Sequence, residues 1–178
     1  MVDAVVGHGV DGATVLEIGG GVGEVQLELL RRGAARATSL ELSASYDADA
    51  AALAAELGVA GRVRRLRLDL AAAPEAVERH DVVVLHRVVC CYPEPHRLLA
   101  AAAGRATRLL VYSHPPRNVL SRAAAAGENA AFRLRRSAFR VYAHDPAAIA
   151  ESVERAGLSC TYRHDGLAWH VLGFTAGP

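Results

Sequence analysis

The amino-acid sequence predicts a single α/β domain with a doubly wound, mostly parallel seven-stranded sheet. Short apolar and β-branched segments alternate with helical segments from about residue 13 to residue 110, which is typical of parallel strands joined by helices. A glycine-rich turn, "IGGGVG", follows the first apolar segment. The last two strand-like segments are separated only by "DGL", a hairpin-length gap. We therefore expect an antiparallel C-terminal strand pair to close the parallel sheet.

Three strands and two helices are predicted in the first part of the chain. Apolar residues define the first strand, Ala13–Ile18, and the second, Ala37–Leu42. The helix Val22–Arg32 has apolar residues at helical spacing, the helix Asp47–Leu57 is rich in alanine and leucine, and each ends at a glycine. Leucine and arginine alternate in the third strand, Arg62–Leu70, which predicts an edge strand. We interpret its arginines as solvated edge residues, with a phosphate site as the alternative.

The most apolar run of the sequence follows. "DVVVLH", Asp81–His86, predicts a central buried strand that lies beside the first strand. A short helix at Pro74–Arg79 precedes it, and the helix His96–Ala103 and the strand Arg108–Ser113 follow it.

The alternation ends after "HPPRN". Val119–Arg136 predicts a helical insertion, and we expect residues 118–142 to lie over the site as a lid. Asp145 is a suitable N-cap for the helix Pro146–Ala156. The last two strands are predicted at Ser159–His164 and Ala168–Thr175.

Composition limits the chemistry and the partners of the chain. Its 178 residues are 52% hydrophobic with a net charge of +1, which predicts one domain, residues 1–178, without general attraction to nucleic acid or anionic membranes. All 20 basic side chains are arginine, so Schiff-base, P-loop and pyridoxal phosphate chemistry that needs lysine is excluded. The chain has three cysteines, no basic leader and no apolar run of membrane-spanning length. These features predict a cytoplasmic protein.

The glycine turn after the first strand is the strongest functional signal. Glycines there let a ligand approach the backbone, and the next helix directs its free N–H groups at that ligand. The dinucleotide pattern G-x-G-x-x-G fails, because its third glycine would stand where the sequence has Glu24 or Gln26. The turn instead has an acid and three alternate glycines: Glu17-x-Gly19-x-Gly21-x-Gly23.

This pattern resembles motif I of class I S-adenosylmethionine-dependent methyltransferases, and the resemblance extends over about residues 13–175. It implies a Rossmann-like fold in which the acid and the glycine backbone hold the methionine end of the cofactor. It also implies that Glu41 takes the ribose hydroxyls and that Asp69 and Leu70 lie beside the adenine. The cofactor-binding residues expected from it are Glu17, Gly19, Gly20, Gly21, Gly23, Glu41, Leu42, Asp69, Leu70 and His86.

Three of these residues also have a purely structural interpretation. Glu41 could be a surface acid, Asp69 a helix cap, and Glu17 a partner for backbone N–H groups of the turn. Their joint occurrence at predicted strand ends, where ligands of open α/β sheets bind, favours the cofactor site. The sequence departs from the family in having only about twelve residues before the first strand, which predicts an open site or a trimmed chain.

The acceptor site is expected over the ends of the fourth and fifth strands, in "LHRVVCCYPEPH" and "YSHPPRN". Methyl transfer mainly needs an oriented acceptor, and it needs a base only if the acceptor arrives protonated. His86 and His114 are the predicted catalytic residues, as base or orienting group; for His86 a strand-end cap is the alternative. The predicted substrate-binding residues are Arg87, Tyr92, Tyr112 and Arg117, with a buried tyrosine that anchors its hydroxyl on the backbone as the alternative for both tyrosines.

Two other clusters have competing interpretations. His86, Cys90, Cys91 and His96 have poor spacing for zinc, since neighbouring cysteines point in different directions, and we expect no metal. The segment 118–142 carries five arginines that would suit an anionic acceptor or would form a solvated helical face. They are Arg122, Arg133, Arg135, Arg136 and Arg140.

"VVLHRVVCCYPE" followed by "PPRN" is also similar to a bacterial subgroup related to magnesium-protoporphyrin O-methyltransferases, which implies a carboxylate or hydroxyl acceptor. The sequence thus predicts an S-adenosylmethionine-dependent enzyme that O-methylates a small molecule, without nucleic-acid or membrane partners. The alternatives are a cyclase or isomerase that binds the same cofactor without methyl transfer, and a non-catalytic cofactor-binding partner subunit. The near-neutral charge and the lack of an Asn/Asp-Pro-Pro-Tyr/Phe motif disfavour a nucleic-acid methyltransferase.

Overall fold

The computed structural model describes residues 1–177, and the centre of that part is one mixed sheet. Its strands are β1 (Thr14–Ile18), β2 (Arg36–Glu41), β3 (Val63–Arg67), β4 (His80–Leu85), β5 (Ala106–His114), β6 (Leu158–Asp165) and β7 (His170–Ala176). Within residues 1–177 the seven strands have the order β3-β2-β1-β4-β5-β7-β6. Strands β1 to β5 are parallel, and β7 is antiparallel to both β5 and β6. The predicted fold class, the place of β4 beside β1 and the edge position of β3 are confirmed.

Helices cover both faces of this sheet. They are α1 (Val2–Gly7), α2 (Glu24–Arg31), α3 (Asp47–Glu56), α4 (Pro95–Arg105), α5 (Val119–Leu134) and α6 (Pro146–Arg155). Strand β4 illustrates the two cores: Val83 and Leu85 join the core under α4 and α6, whereas Val82 and Val84 join the core under α1 and α2. The β-branched run is buried on both sides, as a central parallel strand requires.

Some predicted elements were wrong or incomplete. No helix was predicted before residue 13, yet α1 forms because Val5 is fully buried in the core beside α2. The predicted helix Pro74–Arg79 is only a single turn of 3₁₀ helix, Pro74–Ala76. Strand β3 ends at Arg67 rather than Leu70, because the Asp69 carboxylate accepts the Ala71 N–H and begins a turn. Every helix of the described residues lacks the length or the hydrophobicity needed to cross a membrane.

Candidate functional site

The loop after β1 uses its glycines for different physical reasons. Gly19, Gly21 and Gly23 have φ of 64°, 60° and 90°, a backbone region that side chains disfavour. A Cβ on Gly19 would lie 2.7 Å from the Val88 side chain, and one on Gly23 would collide with Gln26. A Cβ on Gly21 would meet no atom of residues 1–177 within 4 Å, because it would project into a cavity. Gly21 is therefore the glycine that presents bare backbone to a ligand.

Glu17 lies beneath this loop rather than on its surface. The residue is 1% exposed, and its Oε2 accepts the Gln26 N–H at 3.1 Å. A Cβ on Gly20 would collide with the Glu17 carboxyl group, so Gly20 is required for packing. Burial raises the pKa of Glu17 to about 8, although the Gln26 N–H and the Arg65 charge lower it. The geometry supports the interpretation that Glu17 holds the turn.

We expect Glu17 to make the protein less stable as the pH rises. Its pKa is about 8 in the folded state against 4.5 for an ordinary glutamate, so between these values the folded state holds a proton that the unfolded state has released. The stabilisation is complete below about pH 4.5 and is lost as the pH passes about 8. Glu17→Gln stays neutral and keeps an oxygen for Gln26, so urea unfolding of this variant should lack that decline. The exposed Glu56→Gln variant should keep it; an identical decline in all three proteins would contradict the assignment.

Two charged side chains hold the loop from the neighbouring strands. Glu41 accepts the Gly21 N–H at 3.0 Å with Oε2 and the Leu42 N–H at 2.9 Å with Oε1. Arg65 donates to the Gly21 carbonyl oxygen at 2.8 Å and to Asp47 at 2.8 Å. The interpretation of Arg65 as a solvated edge residue was wrong: its side chain is 18% exposed, because the glycine loop and α3 cover it. Sequence alternation identified its face of β3 but not the loop that lies on that face.

A cavity of about 670 Å³, here called the cofactor cavity, opens at the carboxyl ends of β1 and β2. Its walls come from the loops that follow β1, β2, β3 and β4. The predicted cofactor residues that line it are Gly19, Gly21, Glu41, Leu42, Asp69 and Leu70. The predicted cofactor residues outside its lining, within the part of the chain described, are Glu17, Gly20, Gly23 and His86. The cavity thus brings together two carboxylates, Glu41 at the end of β2 and Asp69 just after β3.

Tyr92 belongs to this cavity rather than to the predicted acceptor wall. Its hydroxyl donates to the Asp69 carboxylate, with O–O distances of 2.9 and 3.0 Å. Burial and the Asp69 hydrogen bond raise the pKa of Tyr92 to about 12. Asp69 also accepts the Ala71 N–H at 3.0 Å, so it both caps the turn after β3 and faces the cavity.

A second cavity, of about 360 Å³, adjoins the first and is here called the acceptor cavity. It lies between the loop after β4, the end of β5, one face of α5, residues 139 and 141–144, and Trp169. Arg87, Cys91 and Phe139 line both cavities, so these residues mark the junction between them. Arg87 has φ of 60°, a strained conformation for a non-glycine residue and one that clusters at functional sites. Its guanidinium lies 5.1 Å from the centre of the Trp169 ring.

The two histidines predicted as bases differ in position. His114 is 4% exposed and lines the acceptor cavity, and its Nδ1 is 2.9 Å from the Pro115 carbonyl oxygen. His86 lies outside the lining of both cavities in residues 1–177, with Nδ1 3.1 Å from the Ser113 hydroxyl. Burial lowers the pKa of both imidazoles, and the Arg87 charge also lowers that of His86. His86 thus resembles the strand-end cap that was its alternative, and His114 is the better placed base.

Of the other two predicted substrate-binding residues, Arg117 lines the acceptor cavity and Tyr112 does not. Arg117 lines the acceptor cavity but is paired with Asp145 at 2.8 Å. The prediction that Tyr112 binds substrate was wrong. Its side chain is fully buried and stacked on Phe174, because β5 turns it into the core. Its hydroxyl has no hydrogen-bond partner among the described residues, so the alternative of a backbone-anchored tyrosine was also wrong.

The expectation that the arginines of the segment 118–142 bind an anionic acceptor was also wrong. In the described part of the chain none of these five arginines lines the acceptor cavity, because the α5 face that does so carries small residues and Glu128. Arg122 and Arg133 are exposed on α5, as the solvated-face alternative implied.

The cysteine and histidine cluster is divided between different surroundings. Cys90 is buried and lies 3.5 Å from the Cys91 sulfur, whereas His96 lies against Ser152 of α6 with a 2.6 Å hydrogen bond. Across residues 1–177 no three His, Cys, Asp or Glu side chains are arranged to hold a metal ion.

Comparison of the chain with known sequences gives one family. Residues 15–110 match the family described as Methyltransferase domain. No curated protein sequence matches the chain. The matched segment runs from β1 into β5 and so contains the whole cofactor cavity except for Phe139.

Solved structures with this fold include several methyltransferases. The magnesium protoporphyrin IX methyltransferase from Synechocystis PCC 6803 with bound SAH is similar at 22% identity and a TM-score of 0.78, over 99% of this chain and 82% of that one. An O-methyltransferase family protein from Burkholderia thailandensis has 24% identity and a TM-score of 0.77, over 99% and 55%. The [4+2]-cyclase SpnF has 16% identity and a TM-score of 0.75, over 98% and 80%. At these identities the likeness is one of fold.

Proposed function

The chain belongs to the methyltransferase domain family of S-adenosylmethionine-dependent enzymes, and we propose that it methylates an oxygen of a small molecule bound in the acceptor cavity. The observation that carries this proposal is the junction of the two cavities at Arg87, Cys91 and Phe139. A donor in the larger cavity and an acceptor in the smaller one would meet there without crossing protein. Such positioning is most of what an in-line displacement needs.

The residues of the cofactor cavity suit S-adenosylmethionine. Gly21 has no side chain, so the cofactor can approach the backbone of the loop in space that a Cβ would fill. The Glu41 carboxylate offers hydrogen-bond acceptors for the vicinal hydroxyls of the ribose. Leu42 and Leu70 supply apolar walls, and Tyr92 and Asp69 offer polar groups beside them. When bound, this cofactor supplies a methyl group on a sulfonium, and its transfer to an oxygen leaves S-adenosylhomocysteine.

On the acceptor side, His114 is the proposed base and Arg87 the proposed orienting group. The Pro115 carbonyl oxygen can only accept a hydrogen bond, so Nδ1 of His114 carries the proton and Nε2 keeps a lone pair. That lone pair can take the proton of a hydroxyl acceptor. The α5 segment, as the proposed lid, would exclude water from the junction.

Incubation of the protein with S-adenosylmethionine and a panel of single-ring phenols and carboxylates tests this function. Mass spectrometry should find methyl ethers or esters together with S-adenosylhomocysteine. Cofactor binding with a rearranged but unmethylated product would instead favour a cyclase or isomerase. Binding without any turnover would favour a non-catalytic partner subunit.

We expect Glu41→Ala to weaken cofactor binding about ten- to hundredfold while the fold remains intact. The substitution removes the carboxylate that fixes the Gly21 N–H and that faces the cavity. Calorimetric titration with S-adenosylhomocysteine measures the effect. Glu56→Ala, at the exposed end of α3, is the matched control and should bind normally. Unchanged affinity in the Glu41 variant would remove Glu41 from the site.

A further inference from the structure

The volume of the acceptor cavity limits the size of the ligand that it can bind. Its volume of about 360 Å³ is near the lower end of the range for small-molecule sites, roughly 300–1,000 Å³. The wall from α5 consists of Ser121, Ala124, Ala125 and Glu128, which share one helical face. Three of these four side chains are small, and a cavity of this volume fits one ring rather than a macrocycle.

Aromatic rings form part of the other walls, beside aliphatic residues, two prolines and two cysteines. Phe139, Tyr142, His144 and Trp169 line the cavity, and the Tyr142 and His144 rings are stacked with centroids 5.3 Å apart and planes 19° apart. Flat rings prefer to pack on such offset or tilted aromatic surfaces. These ring surfaces offer packing to a planar aromatic ligand that an aliphatic one cannot use as well.

The charges of the cavity favour one anionic group. Within residues 1–177 the Arg87 guanidinium makes no ion pair or hydrogen bond, although it stands above Trp169. Arg117 is already paired with Asp145 at 2.8 Å. Glu128 is the carboxylate in the α5 wall, and it would repel a second negative group. Arg87 is thus an available anion partner at the junction of the cavities.

We infer that the acceptor is a small, singly charged aromatic acid whose anionic group binds Arg87 and whose ring lies against Trp169 and Phe139. This inference rests on the proposed function, because it assigns the smaller cavity to the acceptor. A carboxylate held on Arg87, or the phenolate formed once His114 has taken the proton of a phenol, would stand where the two cavities meet.

Trp169 is the single tryptophan of the sequence, so its fluorescence reports on this cavity alone. We would titrate the protein, with and without S-adenosylhomocysteine, with benzoate, with neutral benzamide of the same shape, and with butanoate. Benzoate should bind about tenfold or more tightly than either of the others. Arg87→Gln should remove the preference for benzoate over benzamide, Arg87→Lys should keep part of it, and Arg122→Gln should keep all of it.

Equal affinity for benzoate and benzamide, or an undiminished preference in Arg87→Gln, would overturn the inference. A loss of the preference in Arg122→Gln would do the same, because Arg122 lies outside the cavity lining. The titration does not depend on turnover. Selective benzoate binding by a protein that methylates nothing would therefore keep the cavity as a site for an aromatic acid bound on Arg87, but would remove the proposed methyl transfer to that acid.

Discussion

Gly21→Val should reduce the affinity for S-adenosylhomocysteine by more than about a hundredfold, which is more than any other single change at the cofactor cavity. A valine at this position would extend directly into the cavity, since a Cβ there meets no atom of residues 1–177 within 4 Å. The substitution also strains a backbone with φ of 60°, and so disturbs the N–H and carbonyl groups that Glu41 and Arg65 hold. Calorimetric titration measures the loss.

The chain offers a closely matched control in Gly58. Its φ is 67°, and a Cβ there likewise meets nothing within 4 Å among the described residues, but it lies outside the cavity lining. Gly58→Val should therefore have a similar cost of backbone strain, roughly 1–2 kcal/mol, with normal cofactor affinity. Loss of binding in both variants would indicate general destabilisation, and normal binding by Gly21→Val would remove the cavity as the cofactor site.

The fold was predictable because its signals are local and repeated. Each connection between parallel strands returns the chain to the side of the sheet where the strands begin, so the carboxyl ends of β1 to β5 could all be assigned to the opposite side. Glu41 and Asp69 line one cavity for that reason, although they lie far apart in the sequence. The same local signals could not predict α1, which is short and is stabilised by the burial of Val5.

The roles of individual side chains were less predictable, because periodicity assigns a face but not what packs on it. Arg65 was expected on the exposed face of β3, where the glycine loop and Asp47 in fact enclose it. Tyr92 follows β4, as an acceptor residue should, but its hydrogen bond to Asp69 holds it in the neighbouring cavity. Arg87 was identified from its strand end, whereas its contact with the Trp169 ring joins it to the loop between β6 and β7, which is far away in the sequence.

His114→Asn should slow methyl transfer to a phenol by about 10²- to 10⁴-fold while leaving transfer to a carboxylate nearly unchanged. A phenol arrives protonated and needs the Nε2 lone pair of His114, whereas a carboxylate is already ionised at neutral pH. The asparagine amide can still donate to the Pro115 carbonyl oxygen, so the local hydrogen bond survives the change. Steady-state rates with a matched phenol and carboxylate measure the difference.

The pH dependence distinguishes a base from a merely structural residue. Burial lowers the pKa of His114 from its ordinary value of about 6.5, so the imidazole is neutral at pH 7 and gains a proton only in more acidic solution. The kcat/KM for the phenol should therefore fall on an acidic limb below about pH 6.5, and this limb should be missing in His114→Asn. His86→Asn should retain both the limb and most of the rate, because His86 lies outside both cavity linings in residues 1–177. An equal loss with phenol and carboxylate would mean that His114 supports the cavity wall, and loss of the acidic limb in the His86 variant alone would transfer the role of base to His86.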